Sequence, residues 1–187
     1  YYEYRFSDDA PLDIAVNSRG LRVTVEGRNA TVLSFRDTQV NIHVPREAGA
    51  GVRSIVISIN GNVIAADDMA ISAANPGIFT VPQTGAGEAI ALLTSGMRYT
   101  PGPFNSRTDN QPSVVAIFGT GWRNSLPVTV RVGGQLATVQ YAGASGGFPG
   151  LDQINLALPA GLSGSVPVVV TTANGAASRN DVVISTR

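Results

Sequence analysis

The sequence predicts an all-β protein built as two β-sandwich domains in tandem, joined by a short β-hairpin connector. Three observations predict it. One phrase occurs twice, Gln39-Val40-Asn41-Ile42-His43-Val44-Pro45 and Gln153-Ile154-Asn155-Leu156-Ala157-Leu158-Pro159, with apolar residues at alternate positions and a closing proline. Alternation is the period of a half-buried strand. Around each copy the same order of strands and turns recurs, and no segment of useful length carries a helical period. The 187 residues divide into a first sandwich at 1–72, a connector at 73–112 and a second sandwich at 113–187, each sandwich near the size of an immunoglobulin-like domain.

The elements follow in order. Tyr1–Ser7 alternates, with Tyr2, Tyr4 and Phe6 on one face, and reads as a strand until Ser7-Asp8-Asp9-Ala10-Pro11 breaks it. Leu12–Val16 alternates again and Asn17-Ser18-Arg19-Gly20 turns. Leu21–Val25 and Ala30–Leu33 flank Glu26-Gly27-Arg28-Asn29, a hairpin with glycine available for positive φ. After the Gln39 strand and the Ala48–Gly51 loop, Val52–Ile59 and Asn62–Ala66 flank Asn60-Gly61, which suits a type I′ turn. Met69-Ala70-Ile71 closes the first sandwich.

In the connector, Pro76–Thr80, Ala89–Leu93 and Met97–Thr100 read as short strands, and the segment is expected to form a small hairpin packed on one or both domains. Val114–Phe118 is a near-continuous apolar run, hence a buried strand, ending at Gly119-Thr120-Gly121-Trp122. Val128–Val132, Gly133-Gly134 and Ala137–Tyr141 repeat the first hairpin; a Gly-rich insert, Ala142–Gly150, precedes the Gln153 strand; Val166–Thr172, Asn174-Gly175 and Asp181–Ser185 finish the copy. Asp68–Ser72 aligns with Asp181–Ser185. Ser7–Ala15 falls where the first copy needs a counterpart of Val114–Gly121 and does not match it.

Composition excludes whole classes of chemistry. Apolar residues make up 43%, enough for two small cores, and charged residues only 14% against a typical ~25%. The formal charge is zero, so there is no electrostatic case for nucleic acid or an anionic membrane. All thirteen basic residues are Arg, which excludes Schiff-base and P-loop lysines and Lys–Asn isopeptide cross-links. Cys is absent, which excludes disulfides, thiolate nucleophiles, Cys-ligated zinc and attached haem. No apolar run approaches the ~20 residues of a membrane span and no signal peptide is present; the start at Tyr1-Tyr2 reads as a mature or trimmed fragment.

Several motifs occur in one order: Pro76-Gly77-Ile78-Phe79-Thr80, Val114–Gly121, Val130-Arg131-Val132-Gly133-Gly134 leading to Ala137-Thr138-Val139, Phe148-Pro149-Gly150-Leu151-Asp152-Gln153-Ile154-Asn155, and Val166-Pro167-Val168. From about Leu21 to Arg187 this resembles a C-terminal region of secreted acidobacterial (Solibacter-type) proteins, itself similar to immunoglobulin-like IPT/TIG modules. The resemblance implies an extracellular or cell-surface, secreted bacterial appendage and no catalytic residues.

The residues themselves assemble no active site. His43 is the single histidine and shares a lesser-buried face with Asn41; no Gly-x-Ser-x-Gly elbow accompanies it. Asp8-Asp9, Asp13 and Asp67-Asp68 are the acidic clusters, but Ca²⁺ wants six to eight oxygens and adjacent aspartates on a strand point to opposite faces. No metal and no cofactor is expected, and no enzyme. Gln39/Asn41 and Gln153/Asn155 recur at the same strand positions; a ligand function for the repeated pair stands beside the favoured reading, that they bond neighbouring loop backbone and fix the sandwich corner.

Trp122, Tyr141 and Phe148 are the aromatics that would make a sugar-stacking platform, against edge packing over the second core. Tyr1–Phe6 either completes its own sheet or adds to a neighbour's open edge, as in donor-strand assemblies. The expected function is an extracellular structural or adhesive module acting through protein–protein contact, with itself or with domains of a parent protein. In its sharpest form it is a filament subunit joined by strand addition through Tyr2, Tyr4 and Phe6. The alternative is a carbohydrate-binding module that takes a surface glycan.

Overall fold

The computed structural model describes residues 20–36, 39–94, 102–108 and 110–187. They divide into two compact units, one ending at Ala73 and the other running Ala74–Arg187. The sequence-based readings of Tyr1–Phe6, Asp8-Asp9, Leu12–Val16 and Met97–Thr100 lie outside the described residues.

The first unit contains β1 (Leu21–Val25), β2 (Arg28–Asn29), β3 (Thr31–Arg36), β4 (Gln39–His43), β5 (Gly51–Ile59) and β6 (Asn62–Ile71), with one 3-10 turn at Arg46–Ala48. One sheet runs β2-β1-β5-β6 and a second pairs β3 with β4. Alternation selects the core: Val23 and Val25 point inward and are buried, while Arg22 and Glu26 are exposed. Both tight turns take the left-handed backbone that type I′ geometry requires, at Glu26 (φ 49) with Gly27 (φ 70) and at Asn60 (φ 50) with Gly61 (φ 84). Arg28-Asn29, read as turn, is instead a strand on β1, because a two-residue turn leaves them opposite Val25 and Thr24.

The second unit begins with β7 (Gly77–Ile78), β8 (Gly87–Glu88), β9 (Ala91–Leu93), β10 (Arg107–Thr108) and β11 (Gln111–Pro112). It continues with β12 (Val114–Thr120), β13 (Thr129–Val132), β14 (Gln135–Ala144), β15 (Asp152–Ala157), β16 (Gly164–Thr171) and β17 (Val182–Thr186). Nine of these strands share one hydrogen-bonded sheet in the order β7-β12-β15-β14-β13-β16-β17-β8, with β9 also on β12. The ten-residue β14 pairs with β13 over Gln135–Ala137 and with β15 over Thr138–Ala144, so it carries the chain from one layer to the other. Val115 and Ile117 of β12, Ile154 and Leu156 of β15, and Val130, Val132, Val168, Val170, Val182 and Ile184 opposite them form one buried cluster. Each such aliphatic side chain contributes about 1.5–3 kcal/mol on burial.

The segment read as a separate connector is part of this unit. Gly77-Ile78 pairs antiparallel with β12, Gly87-Glu88 pairs parallel with β17, and a bridge between Thr80 and Ala89 joins the two stretches. One hairpin thus lies along both edges of the sandwich. The Glu88 carboxylate fastens it, accepting the Ser185 backbone N–H and hydroxyl at 3.0 Å each.

The duplication extends to individual ladder positions. Val25 opposes Arg28 and Ile55 as Val132 opposes Gln135 and Val168. On the other layer Val32 opposes Ile42, Ser34 opposes Asn41 and Arg36 opposes Gln39; Val139 opposes Leu156, Tyr141 opposes Asn155 and Gly143 opposes Gln153. Each copy carries a bulge at the same place, between Val32 and Ser34 and between Val139 and Tyr141. At the last strand the sequence alignment slips. Met69 opposes Arg53 and Ile184 opposes Val166, so Met69 occupies the place of Ile184, two residues from the match made on Asp68–Ser72. The parity is unchanged, which is why the faces agree.

Candidate functional site

Two surfaces stand out, one in each unit. In the second, the face of β15 turned away from the core carries Gln153 and Asn155, half-buried, between fully buried Asp152, Ile154 and Leu156. Side chains two apart on a strand share a face, and here they bond each other: Gln153 Nε2 donates to Asn155 Oδ1 at 2.7 Å. Ser145 Oγ donates to Gln153 Oε1 at 3.2 Å. In the first unit Gln39 Nε2 donates to Asn41 Oδ1 at 2.6 Å. The spacing of two along one strand is the signal in the sequence for this side-chain link.

The strands beside β15 set what flanks the amides. Across β14, Tyr141 opposes Asn155 and Gly143 opposes Gln153; across β12, Phe118 opposes Gln153 and Ala116 opposes Asn155. The Tyr141 ring lies over Gly143, where a Cβ would come within 2.8 Å of its Oη. Its hydroxyl donates to the Ala144 carbonyl at 2.5 Å, which fixes the ring along the sheet with 43% of the residue exposed.

The three aromatics of the expected sugar platform separate. Trp122 is fully buried and packs on Gly119, where a Cβ would come within 2.5 Å of the indole ring. It is a core residue and presents no face to a ligand, which corrects its place in the platform. Tyr141 and Phe148 are exposed, Phe148 on the Ser145–Leu151 loop.

In the first unit the notable surface is β6. It is the end strand of its sheet, and Val63 and Ile64 are 64% and 57% exposed. A bulge at Ile64 interrupts its ladder with β5, after which Ala65–Ile71 continues in unbroken register. The corresponding strand of the second unit, β17, is covered by β8 and by a bridge from Phe104 to Thr186. Among the described residues nothing pairs with the outer edge of β6.

The remaining sites assemble no reactive cluster. His43 is exposed at the end of β4. Among the described residues no three His, Cys, Asp or Glu side chains come together as a metal site; Asp67 and Asp68 lie exposed on β6, where Asp67 Oδ1 accepts the Asp68 N–H at 2.8 Å. A cleft of about 350 Å³ is lined in part by Leu93, Phe104, Ser113 and Arg187; Arg187 Nε donates to Asn105 Oδ1 at 3.0 Å. No helix among the described residues is long and apolar enough to cross a membrane.

No protein-family model matches the chain, and no curated protein does. Among solved structures, SGBP-B of the Bacteroides ovatus mixed-linkage glucan utilization locus, solved with a mixed-linkage heptasaccharide, is 13% identical with a TM-score of 0.38. That alignment covers 89% of this chain but only 37% of the other. A titin tandem of immunoglobulin domains is 10% identical with a TM-score of 0.24, covering 89% of this chain and 82% of its own. The sandwich assignment rests on the ladder topology described above.

Proposed function

We propose that this chain is a non-enzymatic extracellular module that works through protein–protein contact, with β6 as the strand that receives its partner. One observation carries the reading: β6 is a ten-residue edge strand with apolar side chains in solvent and no ladder partner on its outer side among the described residues. Natural sheets blunt such edges with charged side chains, Pro, a bulge or a covering segment. β6 carries one bulge, at Ile64, and the acidic pair Asp67-Asp68, but Val63-Ile64-Ala65-Ala66 has no charge and no Pro, Ala65–Ile71 runs on in unbroken register, and the covering hairpin that protects β17 has no counterpart on β6 among the described residues. An edge left this open binds an extended segment by main-chain hydrogen bonds, with alternate side chains setting specificity.

The segment with the right pattern is the alternating aromatic stretch Tyr1–Phe6 of a neighbouring copy, presenting Tyr2, Tyr4 and Phe6 on one face. Such a head-to-tail contact does not close on itself and propagates into a filament. Cell-surface or secreted location, as the acidobacterial resemblance implies, suits a module of this kind.

Light scattering and electron microscopy of the 187-residue chain test it, beside a form lacking Tyr1–Ser7 and an Ile64→Lys, Ala66→Lys form. The expected result is polymers from the intact chain and monomers from both variants. A monomeric intact chain, or polymers that survive removal of Tyr1–Ser7, overturns the strand-addition reading.

A further inference from the structure

The two copies share an amide pair but differ in what lies beside it. In the first unit Asn41 Nδ2 donates to Ser34 Oγ at 2.9 Å, so Ser34 takes a donor that the Gln39 contact leaves over. Tyr141 occupies the place of Ser34 and Gly143 that of Arg36. The Tyr141 hydroxyl reaches away to the Ala144 carbonyl, and Asn155 Nδ2 has no protein acceptor among the described residues. The relay Ser145→Gln153→Asn155 therefore runs in one direction and ends at the half-buried Asn155 NH₂ beside an exposed, immobilised ring.

We propose that this face of β14 and β15 is a binding site for a neutral saccharide. The Tyr141 ring is the stacking surface for a pyranose face, Asn155 Nδ2 the donor to a sugar oxygen, and Gln153 the residue that orients Asn155. A flat aromatic with a fixed amide beside it matches a sugar, whose ring presents C–H groups on its faces and hydroxyls at its rim. The side chains named, Tyr141, Ser145, Gln153, Asn155 and Phe118, carry no charge, which favours neutral sugars over uronic acids or phosphates. Gly143 belongs to the site because any larger residue there lifts the ring off the sheet. This site lies in the other unit from β6 and does not depend on strand addition.

The first copy supplies the control. Tyr141→Ser rebuilds its arrangement, removing the ring and giving Asn155 Nδ2 an acceptor, at the register where the first copy carries Ser34. Isotope-labelled protein is titrated with cellohexaose, xylohexaose, laminarihexaose and mannohexaose to 10 mM while the Asn155 side-chain NH₂ signals are followed. At least one saccharide shifts those signals in the parent chain, with affinity falling tenfold or more in Tyr141→Ser and in Asn155→Ala, and by less in Tyr141→Phe, which keeps the ring and loses only the bond that holds it. If no saccharide moves the Asn155 signals, or if Tyr141→Ser binds as well as the parent with an unchanged backbone spectrum, the proposal is wrong.

Discussion

The carboxylate of Glu26 accepts the backbone N–H of Ser54 at 2.8 Å, closing a contact that the second copy has no need of. Glu26 sits in the left-handed region (φ 49), which costs a non-glycine residue roughly 1–2 kcal/mol. Its counterpart is Gly133, free of that cost, and the counterpart of Ser54 is Pro167, which has no N–H to satisfy. The main-chain bond is common to both, Glu26 N–H to Ser54 O at 2.9 Å and Gly133 N–H to Pro167 O at 2.8 Å. Each pair is self-consistent and a mixed pair is not. Glu26→Gly relieves the backbone but strips Ser54 of its partner; Ser54→Pro leaves the Glu26 carboxylate without a donor. The double variant should be more stable than the singles predict, by a coupling of about 0.5–1.5 kcal/mol in a urea-unfolding cycle. Strict additivity would show that the carboxylate bond contributes nothing.

The second unit depends on Trp122. Its ring is fully buried on Gly119, and among the described residues its Nε1 has no hydrogen-bond partner. Trp122→Ala should cost about 3–5 kcal/mol through the cavity it leaves. Trp122→Phe should cost less than half of that, because it also removes an orphaned N–H, itself a penalty of about 1–3 kcal/mol. Gly119→Ala should be as damaging as Trp122→Ala, since the new methyl meets Gly77 O at 2.1 Å as well as the indole. Denaturation followed by circular dichroism ranks the three, and a tolerated Gly119→Ala would contradict the packing described.

The Gly119-Thr120-Gly121-Trp122 string already held that information. A strand ending in two glycines beside the chain's single tryptophan marks a ring lying on backbone, yet spacing alone did not distinguish this from a ring facing solvent. The long alternating strands, the Asn60-Gly61 turn and the duplication were legible, because period and turn chemistry are local. The two-residue strands β7 and β8 were not: a pair of residues has no period, and a parallel pairing with β17 almost a hundred positions later leaves no trace in its own neighbourhood. The candidate saccharide face was half legible. Repetition drew notice to Gln153 and Asn155, but the hydrogen-bond register that brings Tyr141 beside Asn155 depends on the bulge at Gln140, and alternation read straight through it would place Tyr141 on the core side.

Acid should act through Asp181. The hydrogen bond from Arg179 holds the Asp181 carboxyl below the usual aspartate range, with their charge attraction acting in the same direction. A carboxyl with a lower value folded than unfolded stabilises the fold above its unfolded value, and that contribution fades as pH falls through the folded one. The pair is exposed, so the effect is small and salt-sensitive. Urea midpoints taken from about pH 6 down to about pH 2 should show a shallower acid decline in Asp181→Asn than in the parent. Identical acid limbs would mean that the pair is not populated in solution.

Asp152 presents the opposite case, a carboxylate inside the sandwich. Its side chain is 4% exposed and meets Arg123, whose Nε donates to Oδ1 at 2.7 Å and whose NH2 lies 2.5 Å from the same oxygen. NH2 also donates to the Leu151 carbonyl at 2.9 Å, so one guanidinium ties the start of β15 to the chain just after β12. A single ammonium cannot hold both acceptors in that plane. Arg123→Lys should therefore recover little of what Arg123→Ala loses, about 1–3 kcal/mol once screening at the half-exposed arginine is allowed for. Arg123→Ala together with Asp152→Ala should lose less than the sum of the separate changes, because an uncompensated buried charge costs more than an absent one. Thermal unfolding of the four proteins checks this ordering. If Lys restores the parent midpoint, charge alone and not the forked geometry holds β15 in place.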